Sequence, residues 1–132
     1  MQLKAKNGIL SIYDDKAIII RKGVIALSFP ELPKETVFYF RDLVGIEYVK
    51  PNIINGNGYI RFVQSNTMSY DKLGIVLYSR EHLIDPYSVV LMSESGKPVK
   101  ELEKISNFVT NKIETNNKLI NNVSVSKKVT TQ

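Results

Sequence analysis

One stretch of the chain carries a sustained helical period, and it comes after a long series of strand-like segments. In KPVKELEKISNFVTNKIE (residues 97–114), Val99, Leu102, Ile105, Val109 and Ile113 fall within about 120° of one another at about 100° per residue. Phe108 lies at the edge of that stripe, and Lys100, Glu101, Glu103, Lys104 and Lys112 lie off it. Pro98 suits a first helical turn, where its missing N–H is no loss. A lone amphipathic helix has to bury its stripe on something else. Here that something can only be the β-patterned chain before it.

That chain reads as short strands divided by turn residues. GILSIYDDKAIIIRKG is a hairpin. Ile9, Leu10, Ile12 and Tyr13 form one strand, Asp14-Asp15 the turn, and residues 17–22 the return strand. On the return strand Ile18 and Ile20 share one face, with Ala17, Ile19 and Arg21 on the other. VIALSFPELPKE reads as a short extended piece and a loop, since Pro30 and Pro33 disfavour a strand or helix interior. TVFYF is a strand, Arg41-Asp42 a corner, and LVGIEYV a strand ended by Pro51. Asn55-Gly56, repeated as Asn57-Gly58, is a hairpin signal. It leads into GYIRFV, with Tyr59, Arg61 and Val63 on one side and Ile60 and Phe62 on the other. GIVLYS and YSVVLMS are two further strands, joined by REHLIDP. A phosphate-cradling glycine loop would open a helix. This one opens a strand, so it reads as a device that fixes register.

About seven strands followed by one helix argue an α+β, mainly β domain that the helix closes. With 132 residues the chain supports one core. Residues 1–115 form the expected domain and residues 116–132 a polar, basic tail, flexible by composition. The net charge is +5, and most of the excess lies from Lys97 onward, where seven Lys face three Glu. All seven Tyr and four of the five Phe lie before it. Nucleic-acid binding, which interleaves basic and aromatic residues on one face, is therefore disfavoured. The absence of Cys excludes disulfides and thiolate chemistry. No apolar run approaches the roughly 20 residues that span a bilayer. The opening residues lack the apolar stretch of a signal peptide. A cytoplasmic protein is expected, and the richness in Ile, Lys and Asn points to an AT-rich bacterium or its phage.

The segment VFYFRDLVGIEYVKPNIINGNGYIRFV resembles a bacterial pleckstrin-homology-like (PH-like) family of domains of unknown function. The matching features are Arg41-Asp42, the pattern from Leu43 to Lys50, and NGYIRF from Asn57 to Phe62. The resemblance implies a PH-like barrel, with two roughly orthogonal antiparallel sheets and a C-terminal helix plugging one open end. It implies no activity. Eukaryotic PH domains that bind phosphoinositides place several Lys and Arg at the first hairpin, whereas the hairpin read here turns on two aspartates.

Catalysis finds little support. His82 is the one histidine, and the polar setting SREHLID explains it as a surface residue. Zinc needs three or four converging ligands, and calcium an acidic loop of alternating ligands. Neither pattern occurs, and no cofactor is implied. Glu101 and Glu103 do not share a helix face. What remains is a non-enzymatic interaction, adaptor or self-associating module, for which some of Tyr48, Tyr59, Tyr70, Tyr78 and Tyr87 are candidate outward anchors, the alternative being that they pack along the sheet with the hydroxyl in water. Peripheral binding to anionic membrane through the tail is the runner-up. Lys16, Arg21, Lys22, Tyr59, Arg61, Lys127 and Lys128 are the candidates for contact with a partner or an anionic surface.

Overall fold

The structure, a computed structural model, describes residues 1–51, 58–65, 83–91 and 97–123. Its elements run β1 (Gln2–Lys4), β2 (Ile9–Ile12), β3 (Lys16–Ile20), α1 (Val24–Ser28), β4 (Glu35–Tyr39), a 3-10 turn (Phe40–Asp42), β5 (Leu43–Val49), β6 (Gly58–Gln64), β7 (Ser88–Leu91) and α2 (Lys97–Val123). The strands form two antiparallel sheets, β1-β2-β3-β4 and β5-β6-β7, each a simple meander. Among the described residues no strand of one sheet pairs with a strand of the other, so the sheets do not close into a hydrogen-bonded barrel.

Alternation makes each sheet two-faced. Leu3, Leu10, Ile12, Ala17, Ile19 and Phe38 point from the first sheet into the main core, where Ile60, Phe62, Val89 and Leu91 meet them from the second. Phe38 and Phe62 stack across the gap with ring centroids 4.9 Å apart. α2 lies against β1, β5 and the 3-10 turn, so it covers the seam between two edge strands. It inserts Leu102, Ile105, Val109 and Ile113, the stripe expected from the sequence. Phe108 meets Phe40 of the corner edge-on, at 6.2 Å.

Several local expectations change. β1 was not anticipated, and it makes β1–β2 the first hairpin and the Asp14-Asp15 turn the second. VIALS is a helical turn rather than an extended piece. Gly23 allows it, because its φ of 62° sets the chain direction at the helix start, a value costly for residues with a Cβ. α2 runs to Val123, beyond the expected boundary at residue 115: Asn, Lys and Leu in the next turns are compatible with a helix already nucleated by packing. The expected Asn55-Gly56 turn, the strand at residues 74–79, and the tail after Val123 lie outside the described residues, as do the side chains of Leu119 and Ile120. Gly58 does more than flank a turn. A Cβ there would collide with the Val49 carbonyl and the Pro51 ring, so glycine is needed where β6 begins.

Ser106 sits on the buried side of α2, and its hydroxyl has no hydrogen-bond partner among the described residues. Two neighbouring substitutions should therefore act with opposite sign. Ile105→Ala leaves a cavity in the core and should lower the unfolding free energy by about 2–5 kcal/mol. Ser106→Ala removes an unsatisfied buried group and should raise it by about 1 kcal/mol. Urea unfolding of the two variants beside the parent measures both shifts, and a Ser106→Ala variant less stable than the parent would mean the hydroxyl finds a partner in solution.

Candidate functional site

Two buried arginines dominate the polar interior. Arg21 follows β3 on its inward face and is 1% exposed. Its Nε donates to the Asn7 carbonyl (2.9 Å), Nη2 to the Ser88 carbonyl (3.3 Å) and Nη1 to Thr36 Oγ1 (3.4 Å). Burial pushes its guanidinium below the ordinary arginine value, and the nearby negative charge of Asp85 opposes that shift. Asn7, fully buried in the β1–β2 connection, completes the hub. Its Nδ2 donates to the carbonyls of Leu83 (2.9 Å) and Ser88 (3.2 Å), and its Oδ1 accepts from the Val90 N–H (2.9 Å). The Lys6 N–H donates to the Val90 carbonyl at 2.8 Å. The free edge of β7 is thus occupied by a backbone amide and a side-chain amide from the other sheet.

Arg61 lies on the outward face of β6 but is only 4% exposed. It donates from Nε to Asp85 Oδ2 (2.7 Å) and from Nη1 to Glu47 Oε1 (3.2 Å). Asp85 Oδ1 in turn accepts from the Tyr87 N–H at 2.9 Å. Beside this network Tyr59 and Val90 form a small second cluster with Val49 and Leu83. The chain at residues 83–87 therefore packs against the outward side of the second sheet.

These positions correct three of the sequence-based contact candidates. Arg21, Tyr59 and Arg61 are inside, where no flat partner or membrane surface reaches them. Alternation along a strand tells which side a residue takes. It does not tell that a distant segment will cover that side. Lys22 is exposed, and Lys16 is half-buried with its ammonium 5.8 Å from the ring centroids of both Tyr13 and Tyr39. Tyr48 is exposed, whereas Tyr87 is half-buried against the core near Phe38. Tyr70, Tyr78, His82, Lys127 and Lys128 lie outside the described residues.

Two surface features remain. One is an open cleft of about 260 Å³ between the β2–β3 turn, the corner and α2, lined by Asp14, Asp15, Tyr39, Arg41, Lys112 and Asn116 among others. Lys112 Nζ bridges it to Asp14 at 2.8 Å, although the Asp14 side chain is 92% exposed, so water screens the pair. Charges of both signs share the cleft, and the cleft has no directed set of donors. The other is the outward face of the first sheet. The register aligns Lys4, Ile9, Ile20 and Glu35 in one row and Gln2, Ser11, Ile18 and Val37 in the next. Ile9, Ile18, Ile20 and Val37 are only half-buried there, and Tyr13 and Tyr39 stand exposed at one end. Sequence alternation placed Ile18 and Ile20 together. It missed Ile9 and Val37 beside them, since strand pairing brings them there. Among the described residues no three His, Cys, Asp or Glu side chains come together as metal ligands. No helix among the described residues is long and apolar enough to cross a membrane. No family model, curated protein or solved structure matches the chain.

The Arg61 network is read as structural, which double-mutant analysis tests. Asp85→Ala removes the shorter of the two carboxylate contacts of Arg61, leaving Glu47, and should cost about 2–3 kcal/mol, while Arg61→Met with Asp85→Ala should cost less than the two single changes together. Additive losses in thermal and urea unfolding would show that the two side chains do not depend on each other.

Proposed function

We propose that the chain is a non-enzymatic, PH-like interaction module, an adaptor or self-associating domain of a bacterial or phage cytoplasm. What supports the PH-like reading is the order of elements: seven described strands in two antiparallel meanders, then a helix over the seam. The observation that carries the interaction reading is the outward face of β2, β3 and β4. An antiparallel sheet with one solvated side normally presents polar residues there. This one presents Ile9, Ile18, Ile20 and Val37 in adjacent rows, flanked by two exposed tyrosines. The second sheet buries its corresponding side under residues 83–87. Contiguous apolar surface on one sheet alone is the usual mark of a contact face.

A second reading, peripheral binding to anionic membrane, rests on a different feature. Val24 and Leu27 of α1 are 78% and 82% exposed, and Lys22 and Lys34 flank that turn. Two aliphatic side chains and two lysines supply a weak anchor, and Glu31 and Glu35 offset the lysines.

Ile18→Lys should leave the unfolding midpoint close to that of the parent, because the residue contributes nothing to the inward core, and should abolish association measured by sedimentation or by pull-down. Val24→Asp with Leu27→Asp should leave association intact. Flotation with vesicles rich in anionic lipid, lost in that double variant and at high salt, would instead favour the membrane reading.

A further inference from the structure

We infer that the partner seated on the outward face of the first sheet is a second copy of this chain, stacked face to face about a two-fold axis parallel to the strands. The inference rests on the interaction reading above and names its occupant.

Charge placement points to a second copy. Lys4 and Glu35 end the same row, on the two edge strands β1 and β4, with Ile9 and Ile20 between them. Both are exposed, and neither makes an ion pair with any described residue. A closed dimer that stacks two copies of one face needs its axis in the plane of contact. An axis along the strands, between β2 and β3, sets β1 of one copy against β4 of the other. Lys4 then faces Glu35 of the second copy, Ile9 faces Ile20, and Lys16 faces Tyr13. Each of these contacts occurs twice. An axis across the strands does worse. It would press Lys16 onto Ile20 and leave Lys4 and Glu35 without counter-charges. The Lys4–Ile9–Ile20–Glu35 row is apolar in its middle and carries opposite charges at its two ends, which is the pattern that self-complementarity requires.

The size of the face sets the strength. Four strands about 4.8 Å apart and five residues at about 3.4 Å each give a face of roughly 15 by 17 Å. That is smaller than the roughly 800 Å² per partner of a standard stable interface. The dimer should be weak and concentration-dependent.

Sedimentation velocity on the full chain, from micromolar to millimolar concentration, tests this. The parent should show a reversible monomer–dimer equilibrium. Lys4→Glu and Glu35→Lys each create two like-charge contacts and should each weaken the dimer by about 10-fold or more. Lys4→Glu combined with Glu35→Lys should restore it to within about 3-fold of the parent, because the pairs re-form with their signs exchanged. Both residues are exposed, so circular dichroism melting should show the variants folded. Val37→Lys supplies an independent disruption in the middle row of the face. Dimerisation indifferent to all four variants would overturn the inference, as would a parent that stays monomeric throughout. A photo-crosslinker at Ile18, used in cells, then separates the two failures. Crosslinking to a different protein refutes the second copy and leaves the interaction face standing, whereas no crosslinked product at all removes both.

Discussion

The arrangement of the two sheets depends on one buried side-chain amide. Asn7 accepts from the Val90 N–H and donates to the Ser88 and Leu83 carbonyls, while its own backbone carbonyl accepts from Arg21. A side-chain amide carries the same donor and acceptor as a peptide unit, so Asn7 serves β7 as a neighbouring strand would. This resolves two problems together. It occupies an edge that would otherwise recruit a foreign strand, and it ties the β1–β2 hairpin to the second sheet without continuous pairing. An apolar residue at this position would take the Asn7 partner from the Val90 amide and the Leu83 carbonyl inside the protein, leaving the Ser88 carbonyl to Arg21, a cost larger than the hydrophobic gain.

Arg21 shows why cationic residues are a poor guide to binding in this chain. Its charge is taken from water and returned to carbonyl oxygens, with the Asp85 carboxylate contributing at longer range. Arg61 sits on the other side of that carboxylate and binds it directly. Asp85 therefore holds two guanidiniums in its field, from β6 and from the end of β3, and its backbone turn carries the chain into β7. Such a network gains little net free energy over well-packed apolar groups. It does punish misplacement, because any shift of residues 83–87 takes from Arg61 its shorter carboxylate contact. The segment that covers the second sheet is pinned by geometry and charge rather than by its modest apolar area.

Much of the architecture was legible in the sequence because the relevant signals are local. The stripe from Val99 to Ile113, the alternation of Ile60 and Phe62, and the Arg41-Asp42 corner each depend on residues within a few positions of one another. The missed features are non-local. β1 has three residues, too few for a period, and exists because β2 pairs with it. Burial of Arg21, Tyr59 and Arg61 requires residues 83–90 to come back over them, which no window of sequence contains. The prolines after VIALS argue against a helix interior, yet the helical turn ends at Ser28, before Pro30 can interfere. The proposed contact face was half legible. Three consecutive isoleucines at 18–20 imply apolar residues on both sides of β3, but the contribution of Ile9 and Val37 appears only with the strand register.

The two outward faces settle how the chain distributes its apolar residues. The second sheet spends part of its length covering itself, with Leu83 on Tyr59 and Val90. The first sheet has a comparable aliphatic surface, on which Ile9, Ile18, Ile20 and Val37 are only half-buried. Its outermost strands each place a charge in the row that includes Ile9 and Ile20, Lys4 on β1 and Glu35 on β4. Charges on edge strands oppose the addition of another strand to the edge. With edge pairing disfavoured at both margins, the remaining way to remove Ile18, Ile20 and Val37 from water is to lay a second surface flat upon them. In the face-to-face dimer we propose, opposite signs at the two margins would reject a partner approaching in the reversed orientation and accept one related by rotation about the strand direction, so the charges that oppose edge pairing would also specify how the face is covered.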